Sequence, residues 1–308
     1  MEKVNKKHKD RVFKFIFGKN KQWALSLYNA VNGSDYTDPE AIEFNTIDEI
    51  LYIGMQNDVS FLLFFVMSIW EHQSTFNPNV AVRMFLYAAQ LYDKYMTEHN
   101  CYRYSRNLIK LPRPKCICFY NGTDDQPEEM ILRLSDAFRQ NGEETVDTDI
   151  EVSVRMLNIN YGKNKALMEA CEPLTEYSWL VEKIRQNDKV MKNIEKAVDK
   201  TLDEMPDEFI IKKFLLMNKA EVKGMFLTEY DEKKILEQER QEGIEEGRRE
   251  GRREGHREGR SEGIDETNER VAADMLRENF PLQLIVKISK LSEDVIRGIA
   301  GNLGLAVM

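Results

Sequence analysis

Apolar and polar positions along this chain switch between two periods, and the switches mark out its elements. From Asp10 to Val31 the apolar residues Phe13, Phe17, Leu25 and Leu27 fall on one helical face, and Asn32-Gly33 supplies a stop, so one helix is expected there. Residues 43–54 alternate loosely and predict a strand or two. Asn57-Asp58 opens a long β-type run from Val59 to His72. Asn77-Pro78 ends it and starts a helix reaching about Thr97, on the spacing of Val82, Phe85, Leu86, Ala89 and Leu91. Pro112 to Tyr120 reads as a buried strand closed by Asn121-Gly122, and Ile150, Val152, Val154 and Met156 alternate as a further strand.

From Asn164 onward the pattern is helical, with three or four short amphipathic helices between Glu176 and Tyr230. The composition then changes. Gly243, Gly247, Gly251, Gly255, Gly259 and Gly263 recur every fourth residue, each preceded by a glutamate, with arginines filling much of the remainder. Each glycine costs a helix about 1 kcal/mol relative to alanine. The segment therefore reads as a linker or a partner-dependent helix, and its interleaved charges favour a solvated spacer over a phosphate-binding one. Beyond it, residues 267–301 predict three short helices with a small core of Leu276, Phe280, Leu284, Ile285, Ile288, Val295, Ile296 and Ile299, the last helix capped near Ser292. This pair of helices across a short turn resembles a helix-turn-helix and serves equally as a dimerisation or docking module. The expected division is 1–175, 176–240, 241–264 and 265–308.

Composition narrows the classes. The 308 residues, 42% hydrophobic and 31% charged, allow a full-sized core. No stretch reaches the ~18 apolar residues of a membrane span, and no apolar segment of signal-peptide kind follows the lysine-rich start, which predicts a cytoplasmic protein without a membrane partner. The four cysteines form no CxxC pair, and Cys116 and Cys118 share one face of a strand. The net charge of −9 argues weakly against nucleic acid, but basic residues cluster between Lys3 and Lys21 and between Arg103 and Lys115.

The segment with candidate chemistry is Asn57 to Ser74. If it folds as a hairpin turning at Phe64-Phe65, residues whose numbers sum to 129 stand opposite each other. Asp58 then faces Glu71 from about 5 Å on one face of the sheet, with Gln73 beside them. Two carboxylates so close call for a counter-charge, and their oxygens suit Mg2+ or Mn2+, which can activate a water and polarise a phosphate. The alternative is a polar sheet end whose acids pair with surface lysines. An apolar turn departs from the Asp-Gly or Asn-Gly type that tight hairpins favour. His72 points to the opposite face and reads as a packed core residue.

Asp58 followed by Glu71-His72-Gln73 resembles the D…ExQ form of the PD-(D/E)XK nuclease signature. The stretches Lys9–Gly18 (KDRVFKFIFG), Glu71–Asn79 (EHQSTFNPN) and Phe119–Thr123 (FYNGT), with the Glu-Gly-Arg repeat and helical tail, resemble the Rpn family of recombination-promoting nucleases and transposase-like proteins. That resemblance implies an α/β fold, a mixed β-sheet flanked by helices in αβββαβ order, followed by a helical region and a small helical tail. It implies a Mg2+-dependent endonuclease acting on DNA in recombination, mobile-element or defence biology. Asp58 and Glu71 would hold the metal, and Gln73 would stand where the signature usually has lysine, orienting the attacking water. Glutamine lacks the charge to offset a phosphate. Arg83 is then either the compensating cation or a helix-surface arginine, and Asp10 either a further metal-facing carboxylate or a helix N-cap. The missing lysine leaves open a DNA-binding protein that keeps the nuclease fold without cleavage. The tail leaves open a homo-oligomer assembled through it.

Overall fold

The structure is a computed structural model and describes residues 12–45, 58–138 and 148–305. The chain divides into two compact units, Met1–Lys233 and Lys234–Met308.

The first unit is built on a six-stranded mixed sheet. Its strands are β1 (Ile42–Phe44), β2 (Val59–Leu63), β3 (Val66–Gln73), β4 (Arg113–Tyr120), β5 (Glu129–Arg133) and β6 (Ser153–Asn158), in the spatial order β1-β2-β3-β4-β6-β5. β2 runs antiparallel to both of its neighbours, β1 and β3, β4 and β6 join β3 in parallel, and β5 closes the far edge antiparallel to β6. Helix α3 (Val80–Glu98) covers one face, where Val80, Ala81, Met84, Tyr87 and Leu91 pack on Met67, Ile69, Cys118, Tyr120 and Met156. On the other face lie α1 (Val12–Lys19), α2 (Lys21–Asn32), α4 (Lys165–Ala170) and α5 (Glu172–Met191), whose apolar side chains pack on Phe61, Trp70, Ile117, Phe119 and Leu157. Cover on both faces is the reason Phe61, Leu62 and Leu63 read as a continuous apolar run rather than an alternating one.

Several expected elements are redrawn. The single helix expected to end near Val31 is two. Asn20 breaks it with an extended backbone (φ −122°, ψ 105°), and its side chain caps α2 by accepting from the Trp23 N–H at 3.1 Å. Gly33 ends α2 in the left-handed region, as its position in the sequence suggested. Of the stretch 43–54, Ile42–Phe44 is the strand, and residues 46–57 lie outside those described, as does Asp10. β5 has no counterpart among the expected strands, because Glu129–Arg133 pairs as an exposed edge without clean alternation.

Helices α6 (Ile194–Glu204) and α7 (Lys212–Met217) follow in the first unit. The helix α8, Lys219–Arg277, is continuous through the whole Glu-Gly-Arg segment. A side chain added at any of the six regularly spaced glycines would meet nothing nearby. In the second unit α9 (Leu282–Ser289) and α10 (Glu293–Leu303) pack with the end of α8, and Ser292 caps α10. The small core here is Ala272, Leu276, Leu282, Ile285, Ile296 and Ala300. Phe280, Leu284, Ile288 and Val295, expected inside, are exposed. The end of α8 and the short helices α9 and α10 bury one narrow stripe each, and the small Ala272 and Ala300 let them approach closely enough to leave the flanking residues outside. Among the described residues, no helix is long and apolar enough to cross a membrane.

Candidate functional site

The hairpin between β2 and β3 pairs Val59 with Trp70 and Leu63 with Val66, turning at Phe64-Phe65, the register expected from the sequence. The turn is made by an exposed phenylalanine in the left-handed region: Phe64 has φ 53° and its ring lies 5.4 Å from that of Tyr36. One step beyond the first ladder pair, the Asp58 carboxylate accepts from the backbone N–H of His72 at 2.6 Å. The side chain thus caps the end of the ladder, where a backbone carbonyl would otherwise be needed.

Glu71 lies on the face covered by α3, near the C-terminal end of a strand buried on both sides, and is only 8% exposed. Its Oε1 accepts from Arg83 Nε at 2.9 Å and from Arg83 Nη2 at 2.5 Å. Arg83 sits one turn into α3 and reaches back onto the sheet, so it is no ordinary surface arginine. Burial works against the guanidinium charge, but hydrogen bonding to Glu71 and its negative field outweigh this, and the Arg83 pKa stands above its usual value. Tyr87, one further turn along α3, has its hydroxyl pKa raised, first by burial and next by Glu71, with a smaller contribution from Asp58. Both carboxylates therefore act on one phenol. Tyr87 was not singled out from the sequence; its spacing of four from Arg83 was the available signal.

Gln73 is on the same face and nearly fully buried, but its amide is engaged locally. Its Oε1 accepts from the Asn77 N–H at 3.1 Å, and its Nε2 donates to the Asn77 carbonyl at 3.4 Å. It clamps the connection from β3 into α3. His72 lies on the other face, stacked on Phe13 at 5.1 Å with Nε2 3.0 Å from the Tyr177 hydroxyl, a core histidine as expected. Around Tyr177 a polar network continues through Asn121 to Arg185 and Asn160. It ties the ends of β3, β4 and β6 to α5.

Asp58, Glu71, Gln73 and Arg83 are thus gathered at one end of the β2–β3 hairpin, whereas Asp10 lies outside the described residues. Among the described residues, no group of three or more His, Cys, Asp or Glu could hold a metal ion. The donor set at hand is two carboxylates. That number suits Mg2+, which takes one or two from protein and completes its octahedron with water and substrate phosphate. Glu71, as it stands, is already neutralised by Arg83. Cys116 and Cys118 are not candidates for chemistry: both face the core under α3, and burial pushes the Cys116 thiol up to about 11. Comparison of the chain with family models, with curated proteins and with solved structures finds no match.

Proposed function

We propose that this chain is a metal-dependent DNA endonuclease of PD-(D/E)XK type, with its reacting centre at Asp58 and Glu71. The observation that carries the reading is the hairpin register, which brings these two carboxylates to one end of the sheet, with the half-buried Arg83 against Glu71. The order of the first helices, the β1–β2–β3 meander, α3 and β4 agrees with an αβββαβ core. Asp58 and Glu71 would hold Mg2+, or Mn2+, and the metal would supply an activated water and charge stabilisation at the scissile phosphate. Arg83 takes the place of the missing lysine. Once Glu71 is engaged elsewhere, its guanidinium is released to bind a phosphate oxygen, bidentately and without losing its charge. Gln73 acts by holding the β3–α3 turn, and so the position of Arg83, rather than by contacting water.

The test is nicking of supercoiled plasmid by the full chain with Mg2+ or Mn2+, against EDTA and an Asp58→Ala, Glu71→Ala double variant. Metal-dependent nicking lost in both controls is the expected result. Undiminished nicking by the double variant would refute the assignment. A second reading, a nuclease-fold protein that binds DNA without cutting it, is favoured by the Glu71–Arg83 pair and by the engaged amide of Gln73. DNA binding without nicking at any metal concentration would select it. The exposed Leu284, Ile288 and Val295 of the second unit support self-association through the C-terminal tail.

A further inference from the structure

The far end of the sheet from Asp58 and Glu71 carries a surface of a different kind. From the end of α3 into the start of β4, residues 99–115 hold five arginines and lysines and no carboxylate, in a chain whose net charge is −9. Asp93 neutralises one of the five, Arg103, at 2.5 Å. Arg106, Lys110, Arg113 and Lys115 remain, all exposed. Among them stand Tyr102 and Tyr104, 68% and 77% exposed, their rings edge to face at 5.7 Å. The hairpin tip joins this surface: the Arg113 N–H donates to the Phe65 carbonyl at 2.8 Å, and the Phe65 side chain is 85% exposed.

The loop is anchored at both ends. The Cys101 N–H donates to the Met96 carbonyl at 2.8 Å, Arg103 holds Asp93 on α3, and the Tyr92 hydroxyl donates to the Pro112 carbonyl at 2.8 Å. Aromatic rings thus stand in solvent on a loop held at both ends, where burial would have been cheaper. Cations without interspersed acids select a polyanion. Rings standing free beside them offer stacking faces, which an unpaired base can use and a base inside a duplex cannot.

We infer that residues 102–113, with the tip of the β2–β3 hairpin, form a binding surface for single-stranded nucleic acid. Bases stack on Tyr102 and Tyr104, and phosphates lie against Arg106, Lys110 and Arg113. The surface stands apart from the carboxylates. From Phe65 to Glu71 the strand rises about 20 Å, the length of about six nucleotides at the stacked spacing of 3.4 Å. This deepens the nuclease reading by naming the form of substrate delivered to that site, and rests on it for that consequence; the binding itself stands or falls separately.

The experiment is fluorescence anisotropy of the full chain with a labelled 20-nucleotide oligothymidylate and with a duplex of equal length, in EDTA. The single strand is expected to bind more tightly than the duplex. Tyr102→Ala with Tyr104→Ala should weaken single-strand binding at least about 10-fold while leaving duplex binding unchanged. Arg106→Ala with Lys110→Ala should lower the slope of log affinity against log salt by about 1.4. All four positions are exposed, and a thermal melt matching that of the unsubstituted chain establishes that each variant is folded. Equal affinity for the duplex, or tyrosine variants that bind as before, would overturn the inference. So would binding to vesicles of phosphatidylserine and phosphatidylcholine with none to oligothymidylate, which would make the surface a membrane contact. Single-strand binding lost in the tyrosine variants, with no nicking under Mg2+, would uphold this inference and refute the nuclease reading alone.

Discussion

Replacing Arg83 by methionine removes the guanidinium from Glu71 while keeping a side chain of similar length in α3. Glu71 is 8% exposed and both Arg83 hydrogen bonds fall on one of its oxygens, so the variant takes both from a carboxylate buried under α3. Breaking a buried pair from one side costs about 3–5 kcal/mol, and the 23% exposure of the Arg83 side chain argues for the lower end. For a unit of this size that corresponds to a fall in Tm of roughly 6–12 °C. The pH dependence gives the sharper test. Removing Arg83 takes away hydrogen bonds and a positive field that favour the charged form of Glu71 and leaves the burial that favours the neutral one, so its folded-state pKa rises relative to the parent chain. A pKa raised in the folded state alone costs stability as pH rises through it and costs nothing where the carboxyl is protonated in both chains. The deficit of Arg83→Met relative to the parent chain should therefore be larger at pH 8 than at pH 5, and Glu71→Gln in the same chain should remove that difference. Mg2+ should restore stability to Arg83→Met if the carboxylates take the cation, in proportion to its binding. The assay is thermal melting by circular dichroism across pH 5–8. A variant as stable as the parent, or a deficit independent of pH, would show that Glu71 is not a buried charge held by Arg83.

Phe64→Gly should stabilise the first unit by about 1 kcal/mol, since a left-handed backbone costs an L-residue roughly 1–2 kcal/mol and the ring is 62% exposed. Urea unfolding checks it, and a loss of stability would mean that the Tyr36 contact outweighs the backbone. In the second unit, Leu284→Glu with Ile288→Glu places charges on an exposed apolar face; light scattering should show the mass of the full chain falling to that of one copy, and an unchanged mass would rule out self-association through this tail.

The hairpin was legible in the sequence because its constraints are local. A run of 14 apolar-rich residues from Val59 to His72 needs a turn to fit a sheet, and placing it at Phe64-Phe65 sets every opposed pair by arithmetic. That arithmetic was enough to bring Asp58, Glu71 and Gln73 to one end of the hairpin. The break at Asn20 was less visible, because Phe13, Phe17, Leu25 and Leu27 keep helical spacing on both sides of a residue whose cap interrupts the backbone without disturbing the stripe.

What the sequence by itself determined, then, was the order of the main helices and strands, the hairpin register and the faces of its side chains, all consequences of periods 2 and 3.6 along the chain. Only the tertiary structure decided that Arg83 returns to Glu71, that the Gln73 amide is spent on Asn77, and that Tyr87 feels both carboxylates, because these depend on how α3 lies across the sheet. It also decided which apolar residues of the tail stay outside. Periodicity says which side of a helix is apolar, but the width of the stripe that is buried depends on how closely the neighbouring helices approach, and no spacing within one segment contains that distance.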